Sequence, residues 1–185
     1  MMKKYVIIAG VNGAGKSTLY RSIDSLQTME RINIDEIVKE FGSWQNAEDV
    51  FKAGKIAISK IADYFEEGIS FNQETTLCGN SIVNNIKKAK SLGYTIEMHY
   101  VGVDSVEIAK QRIAHRVSRG GHGIPDEDVE RRYQESFRQL VRIKDLCDTV
   151  ILYDNTVAFT RFAIITDNEI SIVSDVPYWF DKYVE

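Results

Sequence analysis

Eight residues near the amino end, Gly10-Val-Asn-Gly-Ala-Gly-Lys-Ser17, satisfy the pattern G-x-x-x-x-G-K-[ST]. Glycines at those positions let a backbone wrap closely round an anion and aim its N–H groups inward, and the start of a helix adds a favourable dipole. Lys16 is expected to reach the β and γ phosphates of a nucleotide and Ser17 to ligate Mg²⁺. Gly10, Asn12, Gly13, Ala14, Gly15 and Thr18 complete the expected nucleotide-binding set.

Two acids follow at the ends of predicted strands, where open α/β sheets bind their ligands. Asp35 closes Ile32-Asn-Ile-Asp35, and Glu74 stands in Phe71-Asn-Gln-Glu-Thr-Thr76. Phosphoryl transfer to a hydroxyl needs a carboxylate to orient that hydroxyl and accept its proton, and Asp35 is assigned this role. An aspartate ahead of Ile37 and Val38 also suits a helix N-cap, and both roles can coexist. Glu74 could bind substrate hydroxyls, hold a magnesium-bound water, or be a solvated strand-end acid.

Arg112, Arg116 and Arg119 recur on one helical face, and no acid stands four residues before any of them to pair with it. Arg131 and Arg132 lie beyond Gly120-Gly-His-Gly-Ile-Pro125. This glycine-rich break reads as a mobile lid over about 119–132 that brings arginines onto the transferring phosphate. His122 is read as a polar lid residue. The pattern lacks N-K-x-D for guanine, D-x-x-G for a switch, and an apolar run ending in Asp-Glu. A kinase therefore leads over a GTPase or a mechanical ATPase.

These residues need a scaffold, and the hydrophobic pattern supplies one. Tyr5–Ala9 reads as a central strand buried on both faces, followed by a helix over 16–26 and a short strand over 31–34. A helical patch follows on Ile37, Val38 and Phe41. A longer helix, 46–67, turns Phe51, Ile58, Ile61, Ala62 and Phe65 inward and ends at Gly68. Then come a strand over 69–73, a helix over 80–92 and a strand over 95–103. A helix capped by Asp104-Ser105 sends Val106, Ala109, Ile113 and Val117 to the core. A helix over 126–144, a strand over 149–153 and a hairpin over about 160–174 turning at Asp167-Asn168 complete the pattern. Alternating strands and helices imply one α/β domain over 1–185 with a mostly parallel sheet.

The chain has 185 residues, 44% hydrophobic and 27% charged, enough for one core without staples. Cys78 and Cys147 are far apart, which fits a reducing compartment and no zinc site. No stretch has the apolar length of a membrane helix, and the run after Met1-Met2-Lys3-Lys4 is too broken for a secretory leader, so the expected location is cytoplasmic. The net charge of −4 disfavours nucleic-acid binding. Between Lys110 and Lys144, however, nine Lys and Arg stand against five Asp and Glu, a basic segment suited to a small polyanion.

Taken together, the chain resembles the zeta toxin family of P-loop kinases. The resemblance is carried by Gly10–Ser17, Asn33-Ile-Asp35, Glu74-Thr-Thr-Leu77, Arg116-Val-Ser-Arg119-Gly-Gly-His-Gly-Ile-Pro125, Arg131-Arg-Tyr133 and Tyr153-Asp-Asn155. It implies a three-layer P-loop sandwich of the adenylate-kinase-like group that uses Mg-ATP to phosphorylate UDP-N-acetylglucosamine and is restrained by a small antitoxin. By position, Asp35 would be the base and Lys16 the phosphate ligand, with Glu74, Thr75 and Thr76 in the sugar-nucleotide pocket. Arg119 and Arg132 would be the lid arginines, with Arg116 and Arg131 as rivals and Arg116 also near the nucleotide. Asp154 and Asn155 would border the adenine. The chain is shorter than the best-defined toxins, so a kinase for another hydroxylated metabolite, or for a polynucleotide end, remains an alternative, as does a nucleotide-binding regulatory module.

Overall fold

The computed structural model describes residues 2–184, so Met1 and Glu185 lie outside it. Seven strands form one sheet: β1 (Lys4–Gly10), β2 (Glu30–Ile32), β3 (Phe71–Thr75), β4 (Thr95–Gly102), β5 (Thr149–Asp154), β6 (Thr160–Thr166) and β7 (Glu169–Ile172). Their spatial order is β2-β3-β1-β4-β5-β6-β7. The first five run parallel and β6 and β7 antiparallel. β1 is central because Tyr5 to Ala9 are apolar on both faces, and all five are buried. The chain therefore reverses its direction of travel across the sheet on the two sides of β1, and the carboxyl ends of β1 and β3 open onto one crevice.

Eight helices cover the described residues: α1 (Lys16–Ser22), α2 (Asp24–Gln27), α3 (Ile34–Phe41), α4 (Ala47–Glu67), α5 (Ser81–Ser91), α6 (Val106–Ser118), α7 (Asp126–Ile143) and α8 (Tyr178–Tyr183). Asn46 caps α4 and Gly68 closes it with φ 70°. The hairpin turns through Asp167 and Asn168, with φ 53° and 63°. Two positive φ values in succession match the right-handed twist of the flanking strands.

Several expected faces are rotated. In α4 the buried stripe is Ala53, Ala57, Ile61 and Phe65, while Phe51, Ile58 and Ala62 are exposed. The sequence carries two adjacent apolar stripes, and the one with small residues faces inward because it lets α4 approach its neighbours closely. Phe41 and Val117 are also exposed. The expected helix over 16–26 breaks at Ile23, whose backbone is extended. The strand expected over 31–34 ends at Ile32, because Asn33 already caps α3.

The C-terminal helix was missed from sequence, yet it anchors one face of the sheet. Trp179 is fully buried, stacking on Phe137 and packing at a tilt against Tyr100. A Cβ on Gly102 would stand 2.3 Å from the Trp179 ring, so glycine is what admits the indole against β4.

Candidate active site

The loop between β1 and α1 is shaped by its neighbours. A Cβ on Gly10 would lie 2.1 Å from the Val101 carbonyl oxygen, and one on Gly13 2.7 Å from that of Ala109, with φ values of 141° and 74°. No other residue type fits either place. Lys16 lies folded onto this loop, its Nζ donating to the carbonyls of Gly10 at 2.9 Å and Val11 at 3.0 Å. Burial pulls its pKa below the ordinary lysine value, and Glu74 and Asp35 pull the other way.

Ser17, the next residue on α1, donates from Oγ to Glu74 at 3.1 Å. Glu74 also accepts from Arg31 at 2.6 Å and Asn33 Nδ2 at 3.1 Å. Arg31 is held in turn by Glu36 at 2.9 Å, by Asn72 at 3.0 Å and by the Tyr20 ring 3.7 Å beneath its guanidinium. Parallel pairing produces this cluster: β2 and β3 match Arg31 with Asn72 and Ile32 with Gln73, so the next pair along is Asn33 and Glu74. Arg31 had no place in the sequence reading. Its signal was the strand pairing, which spacing along one strand cannot give.

Asp35 lies in the first turn of α3, not ahead of it. The N-cap is Asn33, whose Oδ1 accepts from the backbone N–H groups of Asp35 at 2.9 Å and Glu36 at 3.3 Å. The capping reading of Asp35 is thereby corrected, and its carboxyl is left for the groove. That groove, about 450 Å³, is lined by Gly13, Gly15, Lys16, Ser17 and Thr18 on one wall, and by Asp35, Glu36, Lys39 and Trp44 on another. Arg112, Arg116 and His122 form the wall opposite the loop, and Glu74 and Arg21 also reach in.

The arginines divide differently from the expectation. Arg112 and Arg116 face the groove, and each has one guanidinium nitrogen buried with no partner among the described residues. Arg119 and Arg132 are absent from the lining. Arg119 stands at the C-terminal end of α6, exposed, where the helix gives way to the glycine loop. Arg132 is half-buried with a long contact of 3.9 Å to Asp128, and Arg131 is paired with Asp128 at 2.6 Å and Glu135 at 3.4 Å. Three arginines on one helical face do not all reach a groove that ends before the helix does.

Asp154 does not line the groove. It accepts from the Trp179 indole N–H at 3.0 Å and from the Thr156 hydroxyl at 2.6 Å. Asn155 braces the phosphate loop from behind, donating to the Ala14 carbonyl at 2.7 Å. Thr75 ends β3 and Thr76 follows it; the Thr75 hydroxyl accepts from Leu77 N–H at 3.0 Å, and neither threonine lines the groove. Asn12 lies in the loop with its Oδ1 buried and unpartnered among the described residues.

A glycine loop after the first strand, at the crevice of a 2-3-1-4-5 parallel sheet, and a carboxylate facing it define a P-loop phosphotransferase. The family profile described as "Zeta toxin" matches residues 2–161. A protein of Haemophilus influenzae is 36% identical over 133 residues, covering 72% of this chain and 94% of that protein. This chain belongs to the zeta toxin family, and it is an ATP-using phosphotransferase.

Among solved structures, AvrRxo1-ORF1 in complex with ORF2 and ATP superposes with a TM-score of 0.74 at 13% identity, over 99% of this chain. This chain spans 64% of that protein's length. The PezAT toxin–antitoxin system of Streptococcus pneumoniae contains a chain similar at TM-score 0.60 and 17% identity, covering 86% of this chain and 70% of that one. At such identities the likeness is one of fold. No helix among the described residues is long and apolar enough to cross a membrane.

Proposed function

We propose that this protein transfers the γ-phosphate of Mg-ATP to a hydroxyl of a UDP-activated amino sugar such as UDP-N-acetylglucosamine. The observation that carries the transfer is the groove itself: the phosphate loop on one wall, Asp35 on a second and two incompletely partnered arginines on a third. The family supports the choice of acceptor, and the basic residues Arg21 and Lys39 at the groove suit a ligand that carries phosphates of its own.

In this reading Lys16 leaves the carbonyls of Gly10 and Val11 for the β and γ phosphates. Asp35 accepts the proton of the attacking hydroxyl as its oxygen bonds to the γ-phosphorus. The bond from that phosphorus to the bridging oxygen breaks, and ADP leaves with the electron pair. Arg112 and Arg116 supply the hydrogen bonds that meet the charge spreading over the transferred group. Arg119 and Arg132 join them only if the glycine loop moves as a lid. The donor set at Ser17 and Glu74, a hydroxyl and a carboxylate with no nitrogen or sulfur, suits Mg²⁺, and these two residues would hold it. When bound, the ion would neutralise charge on the β and γ phosphates.

The likeness to proteins solved with a partner chain supports a further part of this reading, a small antitoxin that restrains the enzyme. The test is incubation with radiolabelled ATP, Mg²⁺ and UDP-N-acetylglucosamine, followed by mass spectrometry of the sugar nucleotide. Gain of one phosphoryl group by the sugar nucleotide is the expected result. ATP consumption that other hydroxylated metabolites stimulate and this one does not would replace the acceptor. Slow hydrolysis unaffected by any acceptor would point instead to a nucleotide-binding regulatory module.

A further inference from the structure

Asp35 has one aromatic neighbour across the groove that the reaction scheme leaves without a role. His122 reaches from the glycine loop until its Nδ1 lies 3.9 Å from Asp35 Oδ1. That nitrogen is shut off from solvent and has no hydrogen-bond partner among the described residues. Burying a polar atom in this way costs about 1–3 kcal/mol, so other contacts must hold the ring in place. Arg116 Nε donates to the His122 carbonyl at 2.7 Å, and the imidazole packs on Trp44 with ring centroids 4.7 Å apart.

The glycines on either side make this placement feasible. A Cβ on Gly121 would fall 2.5 Å from Arg116 Cγ and 2.9 Å from its carbonyl oxygen, and one on Gly123 would stand 3.1 Å from Val117 Cγ2. The loop therefore lies close against α6, and the His122 ring rests on Trp44 in the connection that joins α3 to α4. Asp35 in the first turn of α3 and Trp44 beyond its last both line the groove, and His122 stands against each of them.

We propose that His122 is the positioning residue for Asp35: as the loop tightens, Nδ1–H donates to one carboxylate oxygen and leaves the other turned toward the acceptor hydroxyl. The gap of 3.9 Å is about 1 Å longer than a hydrogen bond, and such contacts are commonly long before ligands bind. This inference rests on the assignment of Asp35 as the base. It requires a neutral ring, because an imidazolium beside the carboxylate would weaken it as a proton acceptor. Burial favours the neutral form and pulls the His122 pKa below the usual histidine value; Asp35 opposes this, while Arg116, Arg132 and Lys39 reinforce it. Those charges reach the ring from α3, α6 and α7.

Two substitutions separate positioning from packing. His122→Phe keeps a ring against Trp44 and loses the N–H; His122→Asn loses the ring and keeps an N–H near the place of Nδ1. With Mg-ATP, and with UDP-N-acetylglucosamine or water alone as acceptor, His122→Phe is expected to lower kcat about tenfold or more while KM for ATP stays within about twofold. His122→Asn should recover most of the loss. An active Phe variant beside an inactive Asn variant would show that the ring only packs, and the proposal falls.

A second readout does not depend on turnover. The His122 ring is titrated by NMR in the wild type and in Asp35→Asn, and removal of the carboxylate should lower its midpoint by about half a pH unit or more. An unmoved midpoint in an otherwise inactive Asp35→Asn protein overturns His122 alone. Wild-type transfer by Asp35→Asn removes the base, and the positioning role with it.

Discussion

The phosphate-loop wall of the groove and the wall opposite it are held by different kinds of contact. The first rests on a buried strand, on glycines seated against the backbone of β4 and α6, and on a cluster in which Ser17, Arg31 and Asn33 all bond to Glu74. The second hangs on the Arg116 bond to the His122 carbonyl and on the Trp44 contact, and two of its arginine nitrogens have no partner among the described residues. A wall whose donors are already paired has little to gain by moving. A wall with orphaned donors gains hydrogen bonds when an anion arrives, and that is the condition under which a ligand can shift a loop.

The largest expected effect lies on the satisfied wall. Lys16→Ala should reduce phosphoryl transfer by at least about 10³-fold with its melting temperature lowered only modestly, because the lost ammonium serves the phosphates and its loss takes one donor from the buried carbonyls of Gly10 and Val11. Steady-state rates with calorimetry check both halves. Wild-type-like turnover would take the phosphate loop out of the mechanism.

Asp35→Asn comes next, with kcat lower by about 10³-fold, since an amide cannot take the proton. Stability should hold, because Asn33 and not Asp35 caps α3. Retention of kcat would leave Asp35 as a groove residue without chemistry.

On the opposite wall, the comparison sharpens into a contrast between two arginines three residues apart. Arg116→Ala should lower kcat about 10²-fold or more, while Arg119→Ala should stay within several-fold, because only the first lines the groove. Equal large losses would mean that the loop closes far enough to carry Arg119 inward, as the sequence reading supposed. Arg116→Lys should rescue poorly, lacking the planar fork.

The two walls also differ in how far they were legible. The phosphate loop was readable because its chemistry is contiguous: a strand, three glycines, a lysine and a serine within one short stretch. The mostly parallel sheet and the terminal hairpin followed from the alternation of element types and from the Asp167-Asn168 turn, but the strand order did not. Which arginine faces the groove depends on where α6 stops, and the residue that caps α3 depends on where β2 stops. Each boundary is settled by tertiary packing that no local pattern records. Arg31 depended on the register between two strands forty residues apart in sequence, and Trp179 on a terminal helix with no chemical motif to announce it.

The smallest effect belongs to Asn33, where the satisfied wall can be loosened one bond at a time. Its Oδ1 caps α3 and its Nδ2 donates to Glu74, so Asn33→Ala removes both and should cost about 1 kcal/mol from the cap alone. In a chain of this size that lowers the melting temperature by about 2–4 °C. Asn33→Asp preserves the cap acceptor but replaces the donor with a carboxylate facing Glu74. It should therefore keep most of the stability conferred by the cap, while like charges push Glu74 away from Ser17 and weaken Mg²⁺ dependence of turnover. If Asn33→Asp melts as low as Asn33→Ala while its Mg²⁺ dependence stays that of the wild type, the Nδ2 bond to Glu74 matters for folding and not for the ion. The phosphate-loop wall would then be rigid for reasons unconnected with the metal.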